Sequence, residues 1–163
     1  MPGVLALLPE YAGLSDPVAG LRVACREAVA WLGDAPVTVV ADAQGRRVAE
    51  HLLAERRGTT AGADHTAYLV VANGSACRSE KAPGYLDERS SGFDADLARA
   101  LTAPDPTALA GIDPTTSAEL LAATDGLRAL GDVLSPEHVA TVDYDDDPFG
   151  VQYWVVRWAA RLP

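Results

Sequence analysis

Apolar residues along the chain alternate between short continuous runs and segments with helical spacing. Continuous runs, typical of strands buried on both faces, occur at residues 4–8, 36–41 and 66–72. Between them, apolar residues recur every three or four positions over residues 16–33 and 46–57, which predicts two amphipathic helices. Strands that alternate with helices in this way predict an α/β domain.

The second half of the chain begins with helices and ends with two strands. Helical spacing predicts a helix from Asp94, and a capping box formed by Thr116 and Glu119 predicts another helix. Residues 139–144 and 151–159 form the closing strands, and the short acidic connection between them is typical of a hairpin. We therefore expect the last two strands to be antiparallel.

Composition indicates one domain over residues 1–163. The chain is 48% apolar and has no repeat, low-complexity linker or long block of like charge. A chain of this length can bury one hydrophobic core. The predicted fold is α/β: a three-layer α/β/α sandwich with a mixed sheet and antiparallel closing strands.

Charge and hydropathy limit the classes of partner. A formal charge of −10 argues against nucleic acid and anionic membranes, because both attract basic surfaces. No segment contains the roughly 20 apolar residues that a membrane span needs. The amino-terminal segment lacks the basic start of a secretion signal, so we expect a cytoplasmic protein in which Cys25 and Cys77 are free thiols.

Metal-binding patterns are absent from the sequence. The three histidines, His51, His65 and His138, show none of the close spacings typical of metal sites, so no metal or cofactor is predicted. An Fe(II) site with two histidines and one carboxylate remains an alternative if two of these rings meet in space. The acidic residues 143–147 resemble a calcium loop, but Pro148 replaces the glycine that the turn requires.

A long polar loop follows the third predicted strand, where α/β sheets commonly bind ligands. We predict that a small anionic ligand binds here, because the loop carries two cations next to a backbone made accessible by Gly74. The candidate ligand-binding residues share this loop: Asn73, Ser75, Arg78, Glu80 and Lys81. The alternative is a surface loop in which Arg78 or Lys81 pairs with Glu88.

Aromatic residues alternate along the last predicted strand. Trp154 and Trp158 lie on one of its faces, and Tyr153 and Arg157 lie on the other. One aromatic face either packs under a helix or forms the interface of a homo-oligomer. The sequence favours packing, and it leaves the oligomeric state open.

Three segments in the second half carry a family resemblance: residues 73–94, residues 105–114 and residues 143–156 with its Asp-Pro-Phe-Gly-Val-Gln-Tyr motif. Together they resemble a group of actinobacterial proteins that are similar to the catalytic B subunit of class III extradiol ring-cleavage dioxygenases. The resemblance implies a phosphorylase/hydrolase-like α/β/α sandwich. Members of the dioxygenase family hold non-haem Fe(II) with histidines and a glutamate, and they cleave catechol-type rings with O₂.

The positions that the resemblance assigns to iron ligands carry other residues. The histidine after the first strand is replaced by Pro9-Glu10, the histidine after the central strand by residues 75–78, and the glutamate by Ser91-Gly92. We therefore expect a catalytically degenerate relative that binds a small molecule or a partner and is not an enzyme. The alternative is an Fe(II)-dependent extradiol dioxygenase with a site rebuilt from His51, His65 and either Glu10 or Glu80.

Overall fold

The computed structural model describes residues 1–11, 15–56 and 66–161. Within these ranges the chain has an α/β fold of six α-helices and four strands. In chain order the elements are α1 (Ala19–Trp31), β1 (Val37–Val40), α2 (Ala43–Glu55), β2 (Ala67–Val70), α3 (Arg89–Thr102), α4 (Pro106–Ala110), α5 (Pro114–Glu119), α6 (Asp125–Leu130), β3 (His138–Asp146) and β4 (Tyr153–Ala160). None of the helices in the described ranges has both the length and the hydropathy that crossing a membrane requires.

The strands form two small sheets. β1 and β2 are parallel, with Val37 opposite Ala67, and β3 and β4 are antiparallel, with a register shift between Val142 and Tyr144. The predicted antiparallel pair at the end of the chain is therefore confirmed. The segment after β2 connects the two sheets, because the Gly74 N–H donates to the Gln152 carbonyl at 3.0 Å.

Two hydrophobic clusters contact alternate residues of β4. Tyr153 and Val155 belong to a cluster that contains the buried faces of α1 and α2. Trp154 and Val156 belong to a second cluster with residues of α3, α4 and α6. Trp158 packs against this second cluster, and its indole Nε1 donates to the Leu101 carbonyl at 2.9 Å. The aromatic side chains of the closing strand therefore pack in the interior under helices.

The predicted first strand at residues 4–8 is wrong. Residues Leu5–Leu7 form a short 3₁₀ helix, and Pro9–Tyr11 forms another. The Arg22 guanidinium from α1 donates to the carbonyls of Ala6 and Leu7, each at 2.6 Å. These bonds satisfy carbonyls that would otherwise face a neighbouring strand. Leu7 and Leu8 are nevertheless buried, so the apolar run indicated burial correctly and the backbone conformation incorrectly.

Two helices begin earlier than predicted because an aspartate caps them. Asp42 accepts a hydrogen bond from the Gly45 N–H at 2.6 Å, so α2 begins at Ala43, three residues before the predicted start at residue 46. In the same way Asp113, three residues before Thr116, caps α5. α3 begins at Arg89, five residues before the predicted start, and this places Asp94 inside the helix.

Candidate functional site

Ser75 and Asp94 form the buried base of the candidate loop. Ser75 is fully buried, and both its backbone N–H and its hydroxyl donate to the Asp94 carboxylate, at 2.8 Å and 2.6 Å. Asp94 lies on the inner face of α3 and is only 2% exposed. A buried carboxylate is tolerated where hydrogen bonds and a cation compensate its lost hydration. Ser75 is thus a structural anchor whose hydroxyl does not reach the surface.

Arg78 supplies the cation that this carboxylate needs. Its Nη1 lies 3.1 Å from Asp94 Oδ2, and its Nε lies 2.5 Å from Asp147 Oδ2 in the loop between β3 and β4. Burial alone would lower the pKa of the Arg78 guanidinium, but hydrogen bonds to Asp147 and Asp94 outweigh burial and raise it. Arg78 therefore fixes α3 and the β3–β4 loop to the segment that follows β2.

The remaining candidates lie nearer the surface. Glu80 and Lys81 are exposed, and neither forms a hydrogen bond or an ion pair within the described part of the chain. Asn73 is half-buried, and its Nδ2 donates to the Gly74 carbonyl. The pairing of Arg78 with Glu88 that the alternative reading anticipated is replaced by its pairing with Asp94 and Asp147. The structure thus places two candidates in a buried network and leaves Glu80 and Lys81 accessible.

Three bulky residues with left-handed backbone conformation surround this loop, and the sequence analysis missed them. They are Tyr85 (φ 61°), Leu121 (φ 53°) and Phe149 (φ 65°), the non-glycine residues with positive φ among those that the structure describes. Each side chain is more than half exposed. We call these three residues the apolar rim. A left-handed conformation is rare and costly for large side chains, and such residues concentrate at functional sites.

Backbone contacts bring the apolar rim to the candidate loop. The Ala76 N–H donates to the Leu120 carbonyl at 2.9 Å, which places Leu121 beside the loop. The Arg78 N–H donates to the Gly150 carbonyl at 3.1 Å, which places Phe149 beside the loop as well. Tyr85 belongs to the loop itself. The Pro-Gly before Tyr85 and the Pro-Phe-Gly around Phe149 are turn signals in the sequence, whereas nothing in the sequence marks Leu121.

The glycines beside the rim are places of close approach. A Cβ added to Gly84 would lie 2.3 Å from Cys77 Sγ and 3.0 Å from Leu121 Cδ1. A Cβ added to Gly150 would lie 2.5 Å from Ser79 Oγ. Real Cβ atoms do not approach other atoms so closely. Gly84 and Gly150 therefore pack against Cys77 and Ser79 only because glycine has no side chain.

The histidines do not form a cluster within the described residues. His51 on α2 has its Nε2 3.4 Å from Glu55 Oε1, although the atoms lack hydrogen-bond geometry and this buried nitrogen has no hydrogen-bond partner. The His138 Nδ1 accepts from the Ser135 N–H at 3.0 Å. His65 lies outside the described residues. Elsewhere, no group of three or more histidine, cysteine, aspartate or glutamate residues is arranged to hold a metal ion in the ranges 1–11, 15–56 and 66–161.

The acidic run that resembled a calcium loop is mostly part of β3. Asp143 pairs with Arg157, whose Nε lies 2.6 Å from its Oδ2. Asp145 accepts a hydrogen bond from Gln152 Nε2 at 2.8 Å, and Asp147 binds Arg78. These carboxylates therefore hold the hairpin together, and their alternation along a strand differs from the convergent arrangement that a calcium loop requires.

Comparison of the chain with protein-family models, with curated proteins and with solved structures finds no match.

Proposed function

We propose that this protein is a catalytically degenerate relative of the class III extradiol dioxygenases that binds a small molecule or a partner at the loop after β2. The proposed scaffold is the phosphorylase/hydrolase-like three-layer α/β/α sandwich. Two hydrophobic clusters that contact alternate residues of β4 support this architecture. The family assignment rests on the sequence motifs in the second half of the chain.

The observation that carries the proposal is the apolar rim around an accessible cation. Backbone strain of this kind costs about 1–3 kcal/mol at each residue. Burial offsets only part of this cost at Tyr85, Leu121 and Phe149, because about half of each residue stays exposed. Exposed apolar residues beside Lys81 suit a ligand with an apolar body and a carboxylate group.

Arg78 supports the same site indirectly. Its guanidinium is engaged with Asp94 and Asp147, so its charge is largely neutralised before a ligand arrives. Lys81 follows Arg78 in the same loop and has no such partner in the described part of the chain, and we assign it the contact with the anion. Asn73, Ser75 and Arg78 then act as the rigid support of the site, and Glu80 lies at its edge.

Replacing Lys81 with alanine is expected to weaken binding of phenylacetate, a small carboxylate with an apolar body, about tenfold or more, because one charge-assisted hydrogen bond is lost. Isothermal titration calorimetry measures this change. The control is Arg99→Ala, which removes an exposed cation of α3 that pairs with Asp96. Equal affinity of Lys81→Ala and Arg99→Ala, or equal affinity of the unmodified protein for phenylacetate and the uncharged phenylacetamide, would contradict the proposal.

The enzymatic alternative makes a different prediction about metal. A rebuilt Fe(II) site needs two imidazoles and a carboxylate at one place. Glu10 forms an ion pair with Arg47 on α2, and this pairing leaves it less available as a ligand. Stoichiometric iron after anaerobic loading, together with O₂-dependent ring cleavage of catechol, would replace the binding proposal with the dioxygenase.

A further inference from the structure

A groove of about 670 Å³ runs between the two sheets. One wall is the strand β2 with the residue before it, Thr66–Val70, and the other is most of β4, Val155–Ala160. Helical residues close its two remaining sides with apolar side chains: Ala28, Trp31 and Leu32 from α1 and its end, and Leu130, Val133 and Leu134 from α6 and the turn after it. Two strands therefore bound the groove, and its lining is mostly apolar, with Thr66, His138 and Arg157 as the polar contributions.

Both bounding strands have an unpaired edge. In the described residues β2 pairs only with β1, and β4 pairs only with β3. In a parallel ladder the backbone groups of alternate residues face the same neighbour. Ala67 and Val71 donate to β1 and its flanking residue, so the backbone groups of Tyr68 and Val70 face the groove. Strand edges with free backbone groups are natural positions for a further strand.

Met1 already occupies the end of this groove with strand geometry. Its amino nitrogen donates to the Val70 carbonyl at 3.0 Å, and its carbonyl accepts from the Ala72 N–H at 3.0 Å. These two bonds are those of a parallel bridge between Met1 and Val71. The amino group of Met1 stands where a strand would carry a neutral amide, and burial lowers the pKa of this ammonium because it disfavours the charged form.

The direction of β4 relative to this position is also defined. Gly74 bonds to Gln152, and Arg78, further along the chain, bonds to Gly150. The partners run in opposite order, so the continuation of β2 is antiparallel to the segment that leads into β4. A strand parallel to β2 in the groove would therefore be antiparallel to β4.

We propose that the groove takes one more β-strand, joined to the amino nitrogen of Met1, which pairs with β2 and β4 and merges the two sheets into one. The occupant is a segment that precedes Met1 in a longer form of this polypeptide. Continuity supports this occupant, because the bridge at Met1 sets both the register and the direction in which the strand arrives.

The groove specifies the chemistry of the added strand. Its alternate side chains would face α1 on one side and the residues around α6 on the other, so each position is apolar. Counted back from the bridge between Met1 and Val71, about four residues before Met1 bring the added strand level with Ala67, because each strand residue advances about 3.3 Å. The strand would also cover Trp31, Tyr68 and Val133, which are large apolar side chains with exposed surface. The sequence of residues 57–65 has no large aliphatic side chain and so lacks the pattern of such a strand.

The first test extends the chain. Six alternating valine and isoleucine residues are fused directly to Met1, and the control carries six alternating glycine and serine residues. We expect the apolar extension to raise the melting temperature by about 5–10 °C over the control. We also expect hydrogen exchange at the Tyr68 and Val70 amides to slow at least tenfold. Equal melting temperatures and unchanged exchange would overturn the proposal.

A matched pair of variants locates the effect in the groove. Val133→Asp places a charge in its wall, whereas Val139→Asp makes the same change at a similarly exposed position on β3 outside it. We expect Val133→Asp to remove most of the gain from the apolar extension and Val139→Asp to leave it intact. Equal losses in both variants would show that the extension acts elsewhere.

The natural occupant is identified by the intact mass of the protein isolated from the cells that make it. An intact mass that exceeds the 17.0 kDa of this chain by the mass of at least five additional amino-terminal residues supports the proposal. A chain that begins at Met1 would overturn it, and light scattering would then show whether a second copy covers the groove as a dimer.

Discussion

Replacing Asp94 with asparagine is expected to lower the free energy of unfolding by about 3 kcal/mol. The substitution keeps the size of the side chain and removes its charge. Arg78, a partly buried cation, then keeps Asp147 as its remaining carboxylate partner. The new amide N–H₂ can face the Ser75 hydroxyl and the Arg78 guanidinium, two donors that share the carboxylate in the native protein. Breaking a buried ion pair costs more than the pair contributes, because the surviving charge stays desolvated. Urea denaturation monitored by tryptophan fluorescence measures the change.

The control is the same substitution two residues along the same helix. Asp96 is largely exposed and pairs with the exposed Arg99, so Asp96→Asn is expected to change stability by less than about 1 kcal/mol. If the two variants unfold at the same urea concentration, the buried network does not stabilise the loop as described.

Replacing Gly74 with alanine is expected to cost about 3 kcal/mol, through overpacking of a site that has no room to relax. The added Cβ would lie 2.5 Å from Asp94 Oδ1, 2.8 Å from Trp154 Cη2 and 2.9 Å from Gln152 Cβ. Each of these neighbours is held in place: the carboxylate by Ser75 and Arg78, the indole by the second cluster, and the glutamine backbone by its bonds to the loop.

Gly92→Ala is the matched control, and it should have the opposite sign. Gly92 lies in α3, and nothing lies within 4 Å of a Cβ added there. Alanine is favoured over glycine inside a helix by about 0.5–1 kcal/mol. Thermal unfolding of both variants measures the difference, and a stable Gly74→Ala protein would show that the segment after β2 adapts to the added atom.

Local sequence pattern predicted the parts of the fold that depend on local periodicity. The β-branched run at residues 37–40, the helical spacing of Leu21, Cys25 and Val29, and the hairpin between β3 and β4 are all found in the structure. In each case the burial pattern repeats within one element, so the sequence of that element contains the information. The sandwich arrangement and the family remain proposals.

Sequence pattern predicted the wrong local structure where individual side-chain contacts decide the backbone conformation. The run at residues 4–8 is buried, but Arg22 takes its carbonyls and a 3₁₀ helix results. Helix starts depend on aspartate caps: Asp42 accepts one side-chain hydrogen bond, and Asp113 accepts three. Periodicity does not encode such individual contacts.

The candidate loop was located by sequence, whereas its internal arrangement was not. Asp94 lies 19 positions after Ser75, and the sequence pattern predicts only a helix start there, so nothing in the sequence indicates that Asp94 is the shared acceptor of Ser75 and Arg78. The apolar rim was missed for a related reason. Backbone dihedral angles at Tyr85 and Leu121 are imposed by packing around the loop, and neither residue type favours a positive φ.

Alkylation of the two buried thiols, Cys25 and Cys77, reports unfolding of the regions around them. Burial raises the pKa of Cys25 to about 11 and also raises that of Cys77, so at neutral pH neither carries much of the reactive thiolate. Iodoacetamide should therefore alkylate the native protein at least about a hundredfold more slowly than the unfolded chain, given that access and ionisation are both suppressed. Because Cys25 lies in the first cluster and Cys77 in the loop after β2, peptide mapping of the modified sites separates global unfolding from release of the loop alone.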